Sequence, residues 1–450
     1  MWKKVSFLLF LCVFCAAASA KDAEEIRLSD TESLAVAEML SKKGDLDSAR
    51  KIYAAMLESS DRDVRVESVF QLAGVAMAMG DFDTAISYYL AILNRDPGLT
   101  RVRLELARAY FMNRDFSEAE FHFLFARADL SLPPEVAEKI DVFLMLIRQQ
   151  KNWTFDVGFS IVPDSNINLA SGIAEECVAT PLGYLCRPLE KQASGVGFRL
   201  ITEGNYYARF TKRFGLHATA GLSMLDFPSG GFDDYELQFA MGPRYVFDKA
   251  EVSLRPNYSS RWYRGRHYND SYGVGADTNW QAAARWLLNV GAFWRTNVYS
   301  DRRINEIAGN CDDLGVYSRP RYYLDSKSFL IAGLGYNKND AKFDWYKSGS
   351  AMYSLGYFKE FGLGLTLFMR ADIIDMRYKG ANWFVMKDGG MEFLRRKDLI
   401  YQSYVRVSHR ALQYWNMTPA LSYTYVRRDG NAWQNDFDKH RVEIEIIRRF

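Results

Sequence analysis

Along residues 151–450 apolar and polar positions alternate with a period of two. In 216–224, Leu216, Ala218, Ala220, Leu222 and Met224 share one face, and His217, Thr219, Gly221 and Ser223 the other. Trp286, Leu288, Val290, Ala292 and Trp294 repeat the arrangement, as do Leu363, Leu365, Leu367, Met369 and Ala371 against Gly364, Thr366, Arg370 and Asp372. Successive side chains of a strand point to opposite faces, so each segment predicts a strand with one apolar face. Such segments begin near residues 153, 195, 216, 234, 251, 268, 285, 313, 328, 348, 363, 398, 417 and 439, fourteen in all, with the weakest alternation near 313.

Residues 21–150 carry a different period. One motif occurs three times, Asp45-Leu-Asp-Ser-Ala49 to Tyr53, Asp81-Phe-Asp-Thr-Ala85 to Tyr89, and Asp115-Phe-Ser-Glu-Ala119 to Phe123, at offsets of 36 and 34 residues. A small residue followed four positions later by an aromatic, at this spacing, is the pattern of a tetratricopeptide repeat. Ala37, Ala73 and Ala107 stand in the partner helices where two helices approach closely, and Gly44 and Gly80 at the turns. Residues 136–147 supply a further amphipathic helix able to cap the array. Such arrays bind extended peptides in a concave groove, whose first-helix positions here include Phe70, Arg101, Arg108 and Phe111. The same array also suits a docking platform for the strands that follow.

Composition sharpens the division. Trp plus Tyr number 5 in residues 1–150 and 32 in 151–450, and Gly 4 against 27. The chain's net charge of +2 hides 16 basic and 23 acidic residues in 21–150 and 39 basic and 32 acidic in 151–450. Neither part has the concentrated basic run of a nucleic-acid binder. Mean hydropathy is −0.23, and beyond the first twenty residues no apolar run approaches the roughly 18 residues of a helical span. Strands that alternate lipid-facing and lumen-facing residues escape that test. Aromatics gather near segment ends, as at Trp153, Tyr206-Tyr207, Trp262-Tyr263, Tyr322-Tyr323 and Trp345-Tyr346. Girdles at two membrane interfaces explain this placement, whereas a sandwich core would hold its aromatics mid-strand.

Residues 1–20 have the form of an export signal: Lys3 and Lys4, an apolar stretch, and Ala18-Ser19-Ala20 as the cleavage site. Phe14 before Cys15 argues against a lipidation site. Export implies an oxidising compartment, so a local disulfide is expected between Cys177 and Cys186, which bracket a short loop with Pro181 and Gly183, leaving Cys311 over. No metal site is expected from three thiols at irregular spacing and five scattered histidines. The final segment places Val442, Ile444, Ile446 and Phe450 on one face and Arg441, Glu443, Glu445 and Arg449 on the other. A closing strand that stops on a terminal Phe is typical of outer-membrane barrels read by the insertion machinery.

The expected architecture is therefore an α+β multidomain chain: export signal 1–20, helical repeat domain 21–150, and an antiparallel transmembrane β-barrel of about fourteen strands over 151–450. At this point the residues acquire a resemblance. Asn152-Trp153-Thr-Phe-Asp-Val-Gly158, followed by Pro163-Asp164-Ser165-Asn166-Ile167-Asn168, resembles the opening strand of the surface lipoprotein assembly modulator family. The resemblance implies a translocator of the type eleven secretion system, with no nucleotide or metal cofactor. It would carry lipoproteins or related secreted proteins across the outer membrane, its helical domain in the periplasm. Client, membrane lipid, the barrel insertion machinery and periplasmic chaperones are the implied partners; nucleic acid is not among them. Pro163 is expected to end or edge strand pairing, and Asp164, Asn166 and Asn168 to aim polar groups into the lumen or toward the first outer loop.

An exopolysaccharide exporter and a diffusion porin are the competing classes. No enzyme is expected: the chain has no phosphate-binding loop, no HExxH helix and no Gly-x-Ser-x-Gly elbow. His217 and His409 are taken as ordinary lumen or loop residues, and no catalytic residue is assigned.

Overall fold

A computed structural model of the chain describes residues 28–173, 175–180, 183–228, 231–300, 309–387, 390–412 and 417–449. The expected export signal and Phe450 lie outside the described residues. Helix gives way to strand between Gln150 and Trp153. Compactness divides the chain elsewhere, between Asp81 and Phe82, into two units.

The first unit holds α1 (Asp30–Lys42), α2 (Leu46–Ala55) and α3 (Arg62–Met79). Ser29 and Glu32 form a capping box at the start of α1, satisfying two backbone donors that the first turn leaves without helical partners. Ala37, Ala49, Tyr53 and Ala73 are all buried, as the repeat pattern requires. Gly44 has φ +87° and Gly80 φ +79°, the left-handed turn that glycine enters without steric cost.

The second unit joins α4 (Phe82–Arg95), α5 (Thr100–Met112), α6 (Phe116–Arg127) and α7 (Pro134–Gln150) to the strands. Ala85 and Tyr89 on α4 and Ala119 and Phe123 on α6 are buried, again in the repeat pattern. The turn before Asp115 reaches the left-handed conformation with Arg114 at φ +64°, at the position held by Gly44 and Gly80 in the other copies.

After α7 the chain rises through β1 (Trp153–Asp164) and forms a small hairpin of β2 (Glu175–Thr180) and β3 (Gly183–Pro188). It then winds through β4 (Gly195–Arg209), β5 (Phe214–Asp226), β6 (Asp234–Val246), β7 (Ala250–Tyr263), β8 (Arg266–Ala283), β9 (Trp286–Tyr299) and β10 (Cys311–Asp325). It closes with β11 (Ser328–Asp340), β12 (Ser348–Glu360), β13 (Leu365–Lys387), β14 (Gly390–His409), β15 (Met417–Gly430) and β16 (Phe437–Arg449). Fourteen of these form one closed antiparallel barrel, with β1 pairing both β4 and β16, and β2–β3 stand apart as a two-stranded sheet. The weakly alternating segment near 313 is β10, a full strand paired on both sides despite Pro320.

Two features exceed the sequence expectation. The connection from β1 to β4 contains the β2–β3 hairpin where only a loop was expected. Strand β14 begins at Gly390, well before the expected 398, because β13 and β14 run on as a long hairpin with register shifts between Arg377 and Trp383.

The outward face is apolar: Ile161, Phe239, Trp294, Leu334, Leu355 and Ile444 are among its exposed large side chains. Paired on both sides, no barrel strand offers a free edge. No described helix is long and apolar enough to cross a membrane. We call the end of the barrel entered from α7 the near end and the opposite one the far end. Leu355→Arg, on the outward face mid-strand, is expected to destabilise the barrel by ~2–4 kcal/mol, read as a lowered denaturant midpoint in lipid vesicles; an unchanged midpoint would contradict a lipid-facing position.

Candidate functional site

The proposed groove residues divide between the two units. Phe70 lies half-buried on α3 of the first. Arg101, Arg108 and Phe111 lie on α5 of the second. Arg101 is exposed, and Arg108 pairs with Glu105 of its own helix at 2.8 Å. Phe111 meets Phe116 and Phe143 edge-on, at centroid distances of 5.6 and 5.1 Å, so its ring serves packing among α5, α6 and α7.

Two positions beyond Arg101, Arg103 is wholly buried. Its guanidinium donates to the Glu360 carboxylate at 2.5 Å and to the Pro97 carbonyl at 2.8 Å, and lies 3.1 Å from Nδ1 of buried His122. Arg410 donates to the other oxygen of Glu360 at 2.9 Å. Burial and the neighbouring arginines hold His122 well below the ordinary histidine range. It is therefore neutral, and Nδ1 accepts from Arg103. Removing one member of such a pair leaves a buried charge without its partner, at a cost of roughly 3–5 kcal/mol.

This network joins α5 to the near ends of β12 and β14. Around it α4–α7 meet the other near-end turns. Arg209 donates to the Gln149 carbonyl at 2.7 Å, Arg148 to the Asp248 carbonyl, Arg285 to the Ala128 carbonyl at 2.8 Å, and Ser326 to the Gly98 carbonyl at 3.3 Å. Inside the rim Phe125 of α6 lies 5.2 Å from Tyr323, 5.7 Å from Phe329 and 5.9 Å from Phe358, ring centre to ring centre.

At the far end the segment Pro163–Asn168 fastens the first strand to the last. Pro163 has no N–H to give, and the β1–β16 ladder passes from Ile161↔Ile444 to Asp164↔Arg441 without Pro163. Asp164, buried, pairs with Lys439 at 2.8 Å and accepts from the Asn166 N–H at 3.0 Å. The Ser165 N–H donates to the His440 carbonyl, and the His440 N–H to Ser165 Oγ, each at 2.9 Å. Asn166, fully buried, donates to the carbonyls of Ala170 and Asp438 at 2.9 and 3.1 Å and accepts from the Ala170 N–H at 3.0 Å. Asn168 donates to the Lys191 carbonyl at 2.8 Å and accepts from the Ala193 N–H at 3.0 Å. The expected lumen-or-loop role resolves into a tie between β1, β16 and the connection that returns to β4.

Below this tie the inward face of β16 is charged. Glu443 pairs with Arg199 of β4 at 3.1 Å and Arg441 at 2.9 Å, and accepts from Ser160 of β1 at 3.1 Å. Glu445 pairs with Arg406 of β14 at 3.3 Å and accepts from Ser422 of β15 at 2.5 Å. Cross-braces thus run from the last strand to both sides. His217 faces inward, 2.9 Å from Asn205 Oδ1 and 3.3 Å from Ser253 Oγ. Among the described residues no group of three or more His, Cys, Asp or Glu is arranged to hold a metal ion.

In the β2–β3 hairpin Cys177 stands opposite Cys186 in register, and Cys186 is disulfide-bonded; Cys311 is a buried thiol.

A family profile described as surface lipoprotein assembly modifier matches residues 153–450, the whole barrel. The chain belongs to the surface lipoprotein assembly modifier family. A tetratricopeptide repeat profile matches residues 76–123. Surface lipoprotein assembly modifier 1 of Haemophilus influenzae is 22% identical over 383 residues, 82% of this chain and 75% of the relative. The protein of that name from Neisseria meningitidis serogroup B is 23% identical over 413 residues, 89% of this chain and 79% of the relative. The Moraxella catarrhalis surface lipoprotein assembly modifier is 23% identical over 381 residues, 83% and 71%. Among solved structures, a bacterial polysaccharide outer membrane secretin overlaps with a TM-score of 0.35 at 11% identity, covering 65% of this chain and 98% of its own. The Yersinia enterocolitica type III secretion translocator chaperone SycD covers 28% of this chain and 89% of its own, at a TM-score of 0.25 and 20% identity. At such scores neither overlap bears on the assignment.

In this chain the sequence reading missed Arg103, Glu360 and Arg410. A signal for the first was present: Arg103, Leu106, Ala107 and Tyr110 share one helical face, and a cation on an apolar face demands a buried acceptor. Nothing in the alternation marks Glu360 as that acceptor. Asn166→Ala removes the three hydrogen bonds of a fully buried amide, so a loss of about 1–3 kcal/mol is expected, measured by thermal unfolding in detergent. Peptide mapping without reductant should recover Cys177 and Cys186 in one linked fragment; separate alkylated peptides would contradict the pairing.

Proposed function

We propose that the protein delivers lipoproteins, or related secreted proteins, to the cell surface from the outer membrane, its helical domain lying in the periplasm. The observation that carries this reading is the family match over the whole barrel, joined to repeats in the same chain. It favours protein delivery over polysaccharide export or passive diffusion. The repeat helices capture the client, with exposed Arg101 and Arg108 on the capturing face. Folding of the client outside makes the step directional, since the outer membrane has no nucleotide supply. Periplasmic chaperones present the client, and the insertion machinery places the barrel in its lipid.

The division between Asp81 and Phe82 indicates how to test capture. Removing residues 28–81 spares the core that α4–α7 share with the strands. Surface display of a co-expressed lipoprotein, scored by protease shaving of intact cells, is expected to fall to background while barrel levels hold. Undiminished display would sink the capture role of the first unit.

A further inference from the structure

The near-end rim carries apolar side chains where a polar lumen wall would be expected. Tyr323, Phe329 and Phe358 face inward on β10, β11 and β12, and Leu287 and Ile331 flank them. Phe329 and Phe358 stack at 4.8 Å. Farther along the lumen the inward faces bear ion pairs such as Arg255–Asp277 and Arg295–Asp313. The apolar ring is confined to the mouth, and α6 fills it with Phe125 and, through Phe358, with Phe121.

Beside these rings, the contacts that hold α4–α7 at the rim are polar. Five are single donations from Arg or Ser to a main-chain carbonyl, Arg209 to Gln149, Arg148 to Asp248, Arg244 to Arg148, Arg285 to Ala128 and Ser326 to Gly98, each of modest net worth because water takes its place once the helices lift away. The Arg103–Glu360–Arg410 network is the buried ion-paired one, and an ion pair of this kind adds specificity of seating more than net adhesion. The six two-strand turns of the near end are engaged by α4–α7, five directly and that after β14 through Glu360, so the helices lie across the mouth.

We propose that the ring of Leu287, Tyr323, Phe329, Ile331 and Phe358 is a binding site for apolar, aromatic-bearing segments of an unfolded polypeptide, which α6 occupies with Phe121 and Phe125 until such a segment displaces it. This deepens the delivery reading by naming where an incoming chain meets the barrel and what keeps the mouth shut before it arrives. The occupant's chemistry follows from the occupant present: aromatic side chains four positions apart, on a surface that a folded client would keep inside its own core.

The test uses the full chain in lipid nanodiscs, with a photo-crosslinking amino acid in place of Leu287 and reduced, carboxymethylated α-lactalbumin as the unfolded probe. Gly98→Cys with Ser326→Cys, adjoining positions of the α4–α5 loop and the β10–β11 turn, staples the helices to the rim. The reduced staple should crosslink the probe at least about tenfold more than the oxidised one, because a self-occupied site binds only in its open fraction. Phe125→Ala should raise crosslinking over the parent by a similar factor. Equal yields from oxidised and reduced staple overturn the proposal, and so does a yield at or below that of the parent from Phe125→Ala that keeps the parent's heat-modifiable migration as a folded barrel. The staple comparison uses one folded polypeptide in two redox states, with the parent carried through the same reduction to account for the disulfide at Cys186, so misfolding of the Phe125 variant does not decide the matter. No client enters this experiment; if the chain displays no lipoprotein in cells, the delivery reading fails while the ring is still judged by its crosslinks.

Discussion

A strand in lipid has no water to satisfy its N–H and C=O groups, so every ladder must find a partner and the sheet must close on itself. For this chain closure means that β1 finds β16, nearly three hundred residues apart in sequence. The ladder is interrupted at Pro163, and the far end of the seam is held instead by side chains. The buried amide of Asn166 reaches a carbonyl on either side, and Asp164 neutralises Lys439. The inward carboxylates of β16 brace the same strand toward β4 on one side and β14 and β15 on the other. A conspicuous sequence motif thus serves the one pairing on which the barrel depends.

The near end is held by different physics. There a helical pair and its capping helix present rings to rings and arginines to carbonyls, with one wholly buried guanidinium between two strands' ends. Apolar burial supplies adhesion without direction, while the Arg103 fork, shared among Glu360, Pro97 and His122, accepts one seating. The junction is one buried cluster in which Phe123 and Phe125 of α6 and Leu144 and Ile147 of α7 join Tyr323 and Phe329 of the strands. It also explains why compactness divides the repeats between Asp81 and Phe82, although helix does not give way to strand until after Gln150.

Much of the fold was legible because its signals are local. Alternation located all fourteen barrel strands, since a lipid-facing residue at every second position is imposed by the solvent on each strand separately. The alanine and aromatic pairs of the repeats were legible for the same reason, being fixed by contact within a helix pair. The β2–β3 hairpin and the early start of β14 escaped because segments beyond the membrane carry no lipid-facing constraint. Of the groove residues, Phe111 also packs against Phe116 and Phe143: the repeat frame gives its angular position on α5, but how far α6 and α7 cover it depends on how the next helices close.

The sequence by itself determined the repeat helices and the barrel strands, their order, the apolar face of each strand and the family to which the opening strand points. Each rests on periodicity or on contiguous residues, which short-range sterics and solvent enforce. Tertiary structure decided what Asn166 bonds, which acid receives Arg103, and that an apolar ring at the rim is filled by α6. Those partners lie tens to hundreds of residues apart, and only the register of a closed sheet and the seating of the helices upon it bring them within hydrogen-bonding distance.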